Sequence, residues 1–166
     1  KSLFRPLIVM MFALSLSGFT PLEALFAPKA DLWERWLAHD AESQKIIDHG
    51  LWQAVLTARV KGNQDGVNRV AYGAMSEKDD AALGRYLDQM RHVAISAYNR
   101  DEQLAYWINV YNAATVHLIR RHYPLKSIRD IEVGSGLFTD GAWDHKLFSV
   151  EGEELTLNDI EHRILR

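Results

Sequence analysis

Sixteen consecutive residues, Leu104 to Ile119, contain no Lys, Arg, Asp or Glu, yet two asparagines stand in their middle. A helix that is apolar on every side has to be enclosed by the rest of the protein. A carboxamide buried without a partner costs about 1–3 kcal/mol. Asn109 and Asn112 are therefore expected to be held by neighbouring groups inside the fold. The run fixes the centre of the domain and marks a polar position within it, but it specifies no reaction.

Spacing and end signals make this run a helix. At about 100° per residue, Leu104, Trp107, Ile108, Tyr111, Thr115 and Leu118 fall on one stripe. Tyr106, Val110, Ala113 and His117 form another stripe, while Asn109 and Asn112 share a small-residue face with Ala105 and Val116. Asn99 with Glu102 three residues later is an N-cap and capping-box pair. Arg120, Arg121 and His122 complement a helix C-terminus, and Pro124 prevents continuation. The predicted helix therefore runs from Asn99 to His122. Sixteen residues interrupted by two amides and a histidine fall short of the roughly 20 apolar residues that span a bilayer.

The rest of the chain supplies shorter elements. A short helix is expected after Asp31, with Glu34 completing its cap and Trp33, Trp36 and Leu37 on one side. Trp52, Val55 and Leu56 repeat at helical spacing until the turn-forming stretch from Lys61 to Gly66. Val67 to Tyr72 reads as a short strand. Ser76 with Asp79 opens a helix whose stripe is Leu83, Tyr86, Leu87 and Met90. Beyond Pro124, Ser127 to Ile131 reads as one helical turn, and Gly134, Gly136 and Gly141 mark a loop. Glu151-Gly152 sits between Lys146–Val150 and Glu154–Leu157 as a hairpin turn. Thr156 with Asp159 caps a last helix bearing Leu157, Ile160, Ile164 and Leu165. The expected fold is α+β: one helix-rich domain, residues 31–166, with a small antiparallel sheet or hairpin packed on a buried central helix.

Composition narrows the function classes. The chain has 166 residues, 48% of them hydrophobic, enough for one domain with a substantial core. A net charge of −3 with no basic block gives no electrostatic footprint for nucleic acid. Lys1 and Arg5 precede the apolar stretch Leu7 to Leu16, followed by small and turn-forming residues, the pattern of an export signal within residues 1–24. Cleavage is expected after Ser17 or Ala24, leaving no transmembrane span in the mature chain and placing it in the periplasm or outside the cell; retention of the segment as an uncleaved anchor is the alternative. The chain has no cysteine. Disulfides, zinc-thiolate sites and a thiol nucleophile are therefore absent from this stretch.

Four ordered blocks carry a resemblance: residues 101–112 (DEQLAYWINVYN), 123–131 (YPLKSIRDI), 142–148 (AWDHKLF) and 155–166 (LTLNDIEHRILR). Their order and spacing are similar to those of the domain of unknown function 547 family, over about Asn99 to Arg166 and more weakly upstream to Asp31. The resemblance implies an exported bacterial protein of a family whose activity is not established. It also implies a continuation past Arg166 bearing a cysteine, so that this chain is the N-terminal part of such a domain. The absence of a glycine, proline or cap after the last helix agrees with that expectation.

The candidate chemistry lies in two places. Asp159 and His162, at i and i+3 on a helix, can pair as an imidazole and its orienting carboxylate, with Glu161 beside them; these three are the candidate catalytic residues. The plainer alternative is a capped, solvated first turn. Asn109 and Asn112 can orient a substrate carbonyl or a catalytic histidine. Tyr106 and Trp107 can line a groove, although buried amides commonly serve main chain and aromatics at helical spacing commonly fill a core. No metal or other cofactor is expected: His117, His122, Asp144, His145, Glu161 and His162 lack the spacing that puts two ligands on one helical face. Lys61 and Tyr72 stand where a calcium loop needs carboxylates. Two functions remain open. One is a hydrolase-like or transferase-like enzyme whose nucleophile lies beyond Arg166. The other is a non-catalytic binding or interaction module of the cell envelope, whose partner is an unidentified ligand or envelope protein.

Overall fold

The computed structural model describes residues 32–133 and 140–165. Three α-helices form the frame: α1 (Gly50–Arg59), α2 (Glu77–Arg91) and α3 (Arg100–His122). Short 3-10 turns at Glu34–Leu37, Tyr72–Ala74, Ile95–Ala97 and Ile128–Asp130 link or precede them. Three two-stranded antiparallel ladders complete the described fold. They pair β1 (Val60–Lys61) with β2 (Arg69–Val70), β3 (Glu132–Val133) with β4 (Asp140–Gly141), and β5 (Phe148–Val150) with β6 (Glu153–Leu155). A π-helix, Asp159–Ile164, follows the last hairpin. The architecture is α+β and helix-rich. The expected caps of residue 31 and the glycine loop at 134–136 lie outside the described residues.

Local chemistry explains the helix boundaries. Ser76 and Asp79 form a reciprocal capping box at the start of α2. Asn99 caps α3 by accepting from the Glu102 N–H at 3.0 Å. The reciprocal half of that cap is missing, because the Glu102 carboxylate accepts instead from the Ile47 N–H at 3.2 Å. Its tertiary partner thus displaces the local one. In the β5–β6 hairpin Glu151 and Gly152 both have positive φ, +47° and +85°, the conformation a two-residue turn demands. The strand expected from Val67 to Tyr72 shrinks to Arg69–Val70, since Tyr72–Ala74 turns into a 3-10 helix.

The face that α3 buries differs from expectation. Tyr106, Val110 and Ala113 have no exposed surface, and Trp107, Ala114 and Leu118 are buried beside them. The neighbouring stripe is open: Leu104 is 52% and Ile108 44% exposed, and Asn112 is exposed as well. The sixteen-residue run is thus a helix, as its spacing requires, but it is wrapped on one side rather than enclosed. The absence of charge was a poor guide to which side, because small residues at 113 and 114 let other elements approach more closely than Leu104 or Ile108 would. Trp107 packs edge-on against Trp36 and Tyr106, with ring centroids 5.0 and 4.9 Å apart.

Helices α2 and α3 run antiparallel and are pinned near both ends. The Tyr106 hydroxyl donates to the Met90 carbonyl at 2.9 Å. At the other end the Arg120 guanidinium meets the Asp80 carboxylate at 3.0 Å and the Met75 carbonyl at 3.1 Å. Gln103, buried under the start of α3, donates to the Ala38 and Ile95 carbonyls. No helix among the described residues is long and apolar enough to cross a membrane.

Candidate functional site

The predicted catalytic residues share the C-terminal π-helix, but they do not form the predicted pair. Thr156 caps its first turn: the Thr156 N–H and hydroxyl donate to Asp159 Oδ2, and the Asp159 N–H donates to the Thr156 hydroxyl, each at 3.0 Å. The other carboxylate oxygen of Asp159 accepts from Arg163 at 3.0 Å. Burial pushes the Asp159 carboxyl upward, but the hydrogen bonds from Thr156 and Arg163 outweigh it and hold the carboxyl below its ordinary range. His162 Nδ1 is buried without a hydrogen-bond partner. The winding accounts for the missing pair. The Leu165 N–H bonds the Ile160 carbonyl five residues back, and this wider turn brings residue i+4, Arg163, to Asp159 instead of residue i+3.

Glu161 reaches back to α3, where its Oε2 accepts from the Tyr111 hydroxyl at 2.8 Å. The Trp143 indole lies near the same hydroxyl. Burial foremost, and then Glu161, raise the Tyr111 phenol above its ordinary range. The Tyr111–Glu161 bond ties α3 to the π-helix.

The predicted orienting residues on α3 are separated. Tyr106 and Trp107 belong to the core, and burial pushes the Tyr106 phenol strongly upward. Asn112 is exposed and Asn109 half-buried, and neither carboxamide has a hydrogen-bond partner among the described residues. This corrects the expectation that both are held inside the protein. Water satisfies an exposed amide, so no penalty drives it to a partner.

A larger cavity lies elsewhere, between α2 and α3. It encloses about 510 Å3. Its apolar walls come from Leu87 on α2, Ala114 and Leu118 on α3, and Leu147 and Phe148 where β5 begins. Gly84 leaves one wall open, since a side chain there would meet nothing within 4 Å. The polar groups are all basic or imidazole: Arg91, His117, Arg121, His122 and His145. Among the described residues no carboxylate lines the cleft.

The five groups are differently committed. Arg91 donates to the Leu147 carbonyl at 3.3 Å and lies over the Phe148 ring, 5.1 Å from its centroid. His122 Nδ1 contacts the Leu118 carbonyl at 2.9 Å, which places the proton on Nδ1 and leaves Nε2 outward. Arg121, His117 and His145 have no hydrogen-bond or ion-pair partner among the described residues. Burial lowers the His117 pKa most, and the positive charges of Arg121 and Arg91 lower it further against a pull from Asp80. The free imidazole is therefore neutral at neutral pH. Among the described residues no group of three or more His, Asp or Glu side chains is placed to hold a metal ion.

From sequence, His117, His122 and His145 were weighed as metal ligands and Arg121 and His122 were placed at a helix end, while Arg91 was passed over. The signal available was modest: His117, Arg121 and His122 share one end of α3, but bringing them to Arg91 and His145 takes tertiary packing. Comparison with known proteins gives one result. The family model described as "Protein of unknown function, DUF547" matches residues 95–166. No curated protein and no solved structure matches the chain.

Proposed function

With residues 95–166 belonging to the DUF547 family of unknown function, we propose that this chain is an exported domain that binds a small molecule in the cleft between α2 and α3. The observation that carries the reading is the cleft itself: about 510 Å3, apolar on its walls, with polar groups of which His117, Arg121 and His145 have no partner among the described residues. That combination is the usual form of a ligand site. Export is supported by the basic and then apolar composition of residues 1–24. Among the described residues the cleft holds no arrangement of nucleophile and base, and binding is the activity its lining supports.

Amide NMR spectra recorded with a panel of neutral, cationic and anionic compounds of metabolite size test the reading. Shifts should cluster at Gly84, Leu87, Ala114 and Leu147, and they should vanish in Gly84→Phe, which fills the cleft from its open wall. Shifts clustering at Tyr111, Asn112 and the π-helix instead would overturn it.

That second outcome would favour a hydrolase-like or transferase-like site. One observation supports it: the Tyr111–Glu161 hydrogen bond stands beside a buried His162 Nδ1 with no partner. In this reading Glu161 and His162 serve a nucleophile supplied from outside the described residues, and Asn109 and Asn112 orient the substrate.

A further inference from the structure

We propose that the ligand of the α2–α3 cleft carries an oxyanion group of phosphate or carboxylate type, seated beside His117 and neutralised by Arg91 and Arg121. The inference rests on the cleft being the binding site and adds the chemistry of what it holds.

Charge balance is the first support. Arg59, Arg69, Arg120 and Arg163 each meet a carboxylate within 3.0 Å. Arg91 and Arg121 meet none among the described residues, as is also true of Arg85 and Arg129, but these two line the same cleft. Two guanidinium groups lining one cleft repel each other, and a bound anion relieves that repulsion. Guanidinium is also the side chain whose planar donor fork matches carboxylate and phosphate oxygens.

The imidazoles supply the second support. His117 stands on α3 one turn before Arg121, and the charges of both Arg121 and Arg91 act on it. It therefore lies where the two positive fields overlap. A neutral imidazole there donates one N–H to an oxyanion; once the anion is bound, its charge favours the protonated form and a stronger hydrogen bond. His145, entering from the loop before β5, has no partner among the described residues to compete for it.

The plainer explanation is that basic residues near a helix C-terminus complement the dipole. It accounts for His122, whose Nδ1 serves the Leu118 carbonyl. It does not account for His117, more than a turn inside α3, or for His145, which is on no helix.

The test is an amide NMR titration of the chain with inorganic phosphate, acetate and, as a neutral control, glycerol, at constant ionic strength. Saturable shifts at Gly84, Ala114 and Leu147 with phosphate or acetate, and none with glycerol, are expected. The stronger of the two anions identifies the source chemistry. Arg121→Gln should weaken that binding about tenfold or more by removing a charge-assisted contact. Arg121 is exposed and unpaired, so this variant keeps the wild-type melting temperature, which separates lost binding from lost fold. If neutral compounds shift the cleft amides while both anions are inert, or if Arg121→Gln leaves anion binding unchanged, the oxyanion proposal falls and the cleft survives as a site. If no compound of any charge shifts those amides, both fall.

Discussion

The two long flanks of α3 handle charge in opposite ways. Toward the π-helix every acidic group is engaged: Glu161 with Tyr111, and Asp159 with Thr156 and Arg163. Toward α2 the groups at the helix ends are matched, as Arg120 with Asp80, but the space between them collects Arg91, His117 and Arg121 with no carboxylate among the described residues. One flank is built as a joint and the other as a vacancy. Pairing stabilises a fold modestly, whereas groups left unpaired around a cavity cost stability and are retained where binding repays them. The contrast supports the proposal that the cleft binds a ligand while the π-helix serves the fold.

The joint side can be broken most severely at the core stripe that both flanks share. Tyr106→Ala removes a fully buried ring and its bond to Met90, and should cost about 3–5 kcal/mol in chemical denaturation. Tyr106→Phe should lose only about 0.5–1.5 kcal/mol. A loss below about 1 kcal/mol for the alanine variant would show that α2 and α3 are not held together there.

Acid sharpens the comparison on the vacancy side. His117, and His49 whose Nδ1 meets the Tyr86 hydroxyl at 2.7 Å, are both lowered from 6.5 mainly by burial. A base whose folded pKa lies below its unfolded value contributes fully above 6.5 and less as pH falls toward the folded pKa. Melting temperature should therefore decline as pH drops below 6.5. Saturating oxyanion should flatten the part of that decline due to His117 and leave the part due to His49. An equal decline with and without anion would detach His117 from the cleft.

Gly84→Ala should stabilise the protein by about 0.5–1 kcal/mol, because α2 gains helix propensity and the added methyl meets open space. Destabilisation there would mean the cleft is narrower than its outline. The smallest effect is expected at Asn112→Leu, within about 0.5 kcal/mol by thermal denaturation, since the amide is exposed and unbonded. A loss above about 1 kcal/mol would restore the enclosed amide expected from sequence.

Local signals were legible because they are written in neighbouring residues. The Ser76–Asp79 and Thr156–Asp159 caps, the Asn99 cap and the Glu151-Gly152 turn each require only residues within three positions. The buried side of α3 was not legible, since three stripes of similar hydrophobicity competed and the choice depended on how closely α2 approaches Ala113 and Ala114. The Asp159–His162 pair failed for a related reason. An α-helical period was assumed where the chain winds with a longer one. The cleft was the least visible, being made by residues up to 64 positions apart, from Gly84 to Phe148.

The two pins between α2 and α3, Tyr106 to Met90 and Arg120 to Asp80, have a consequence for selectivity. They set the gauge of the slot before any guest arrives. A guest that fits pays little for rearranging its host, while one slightly too broad must prise apart a buried hydroxyl bond or a salt bridge to enter. Size discrimination would then come from the walls, and tightness of grip from the cations.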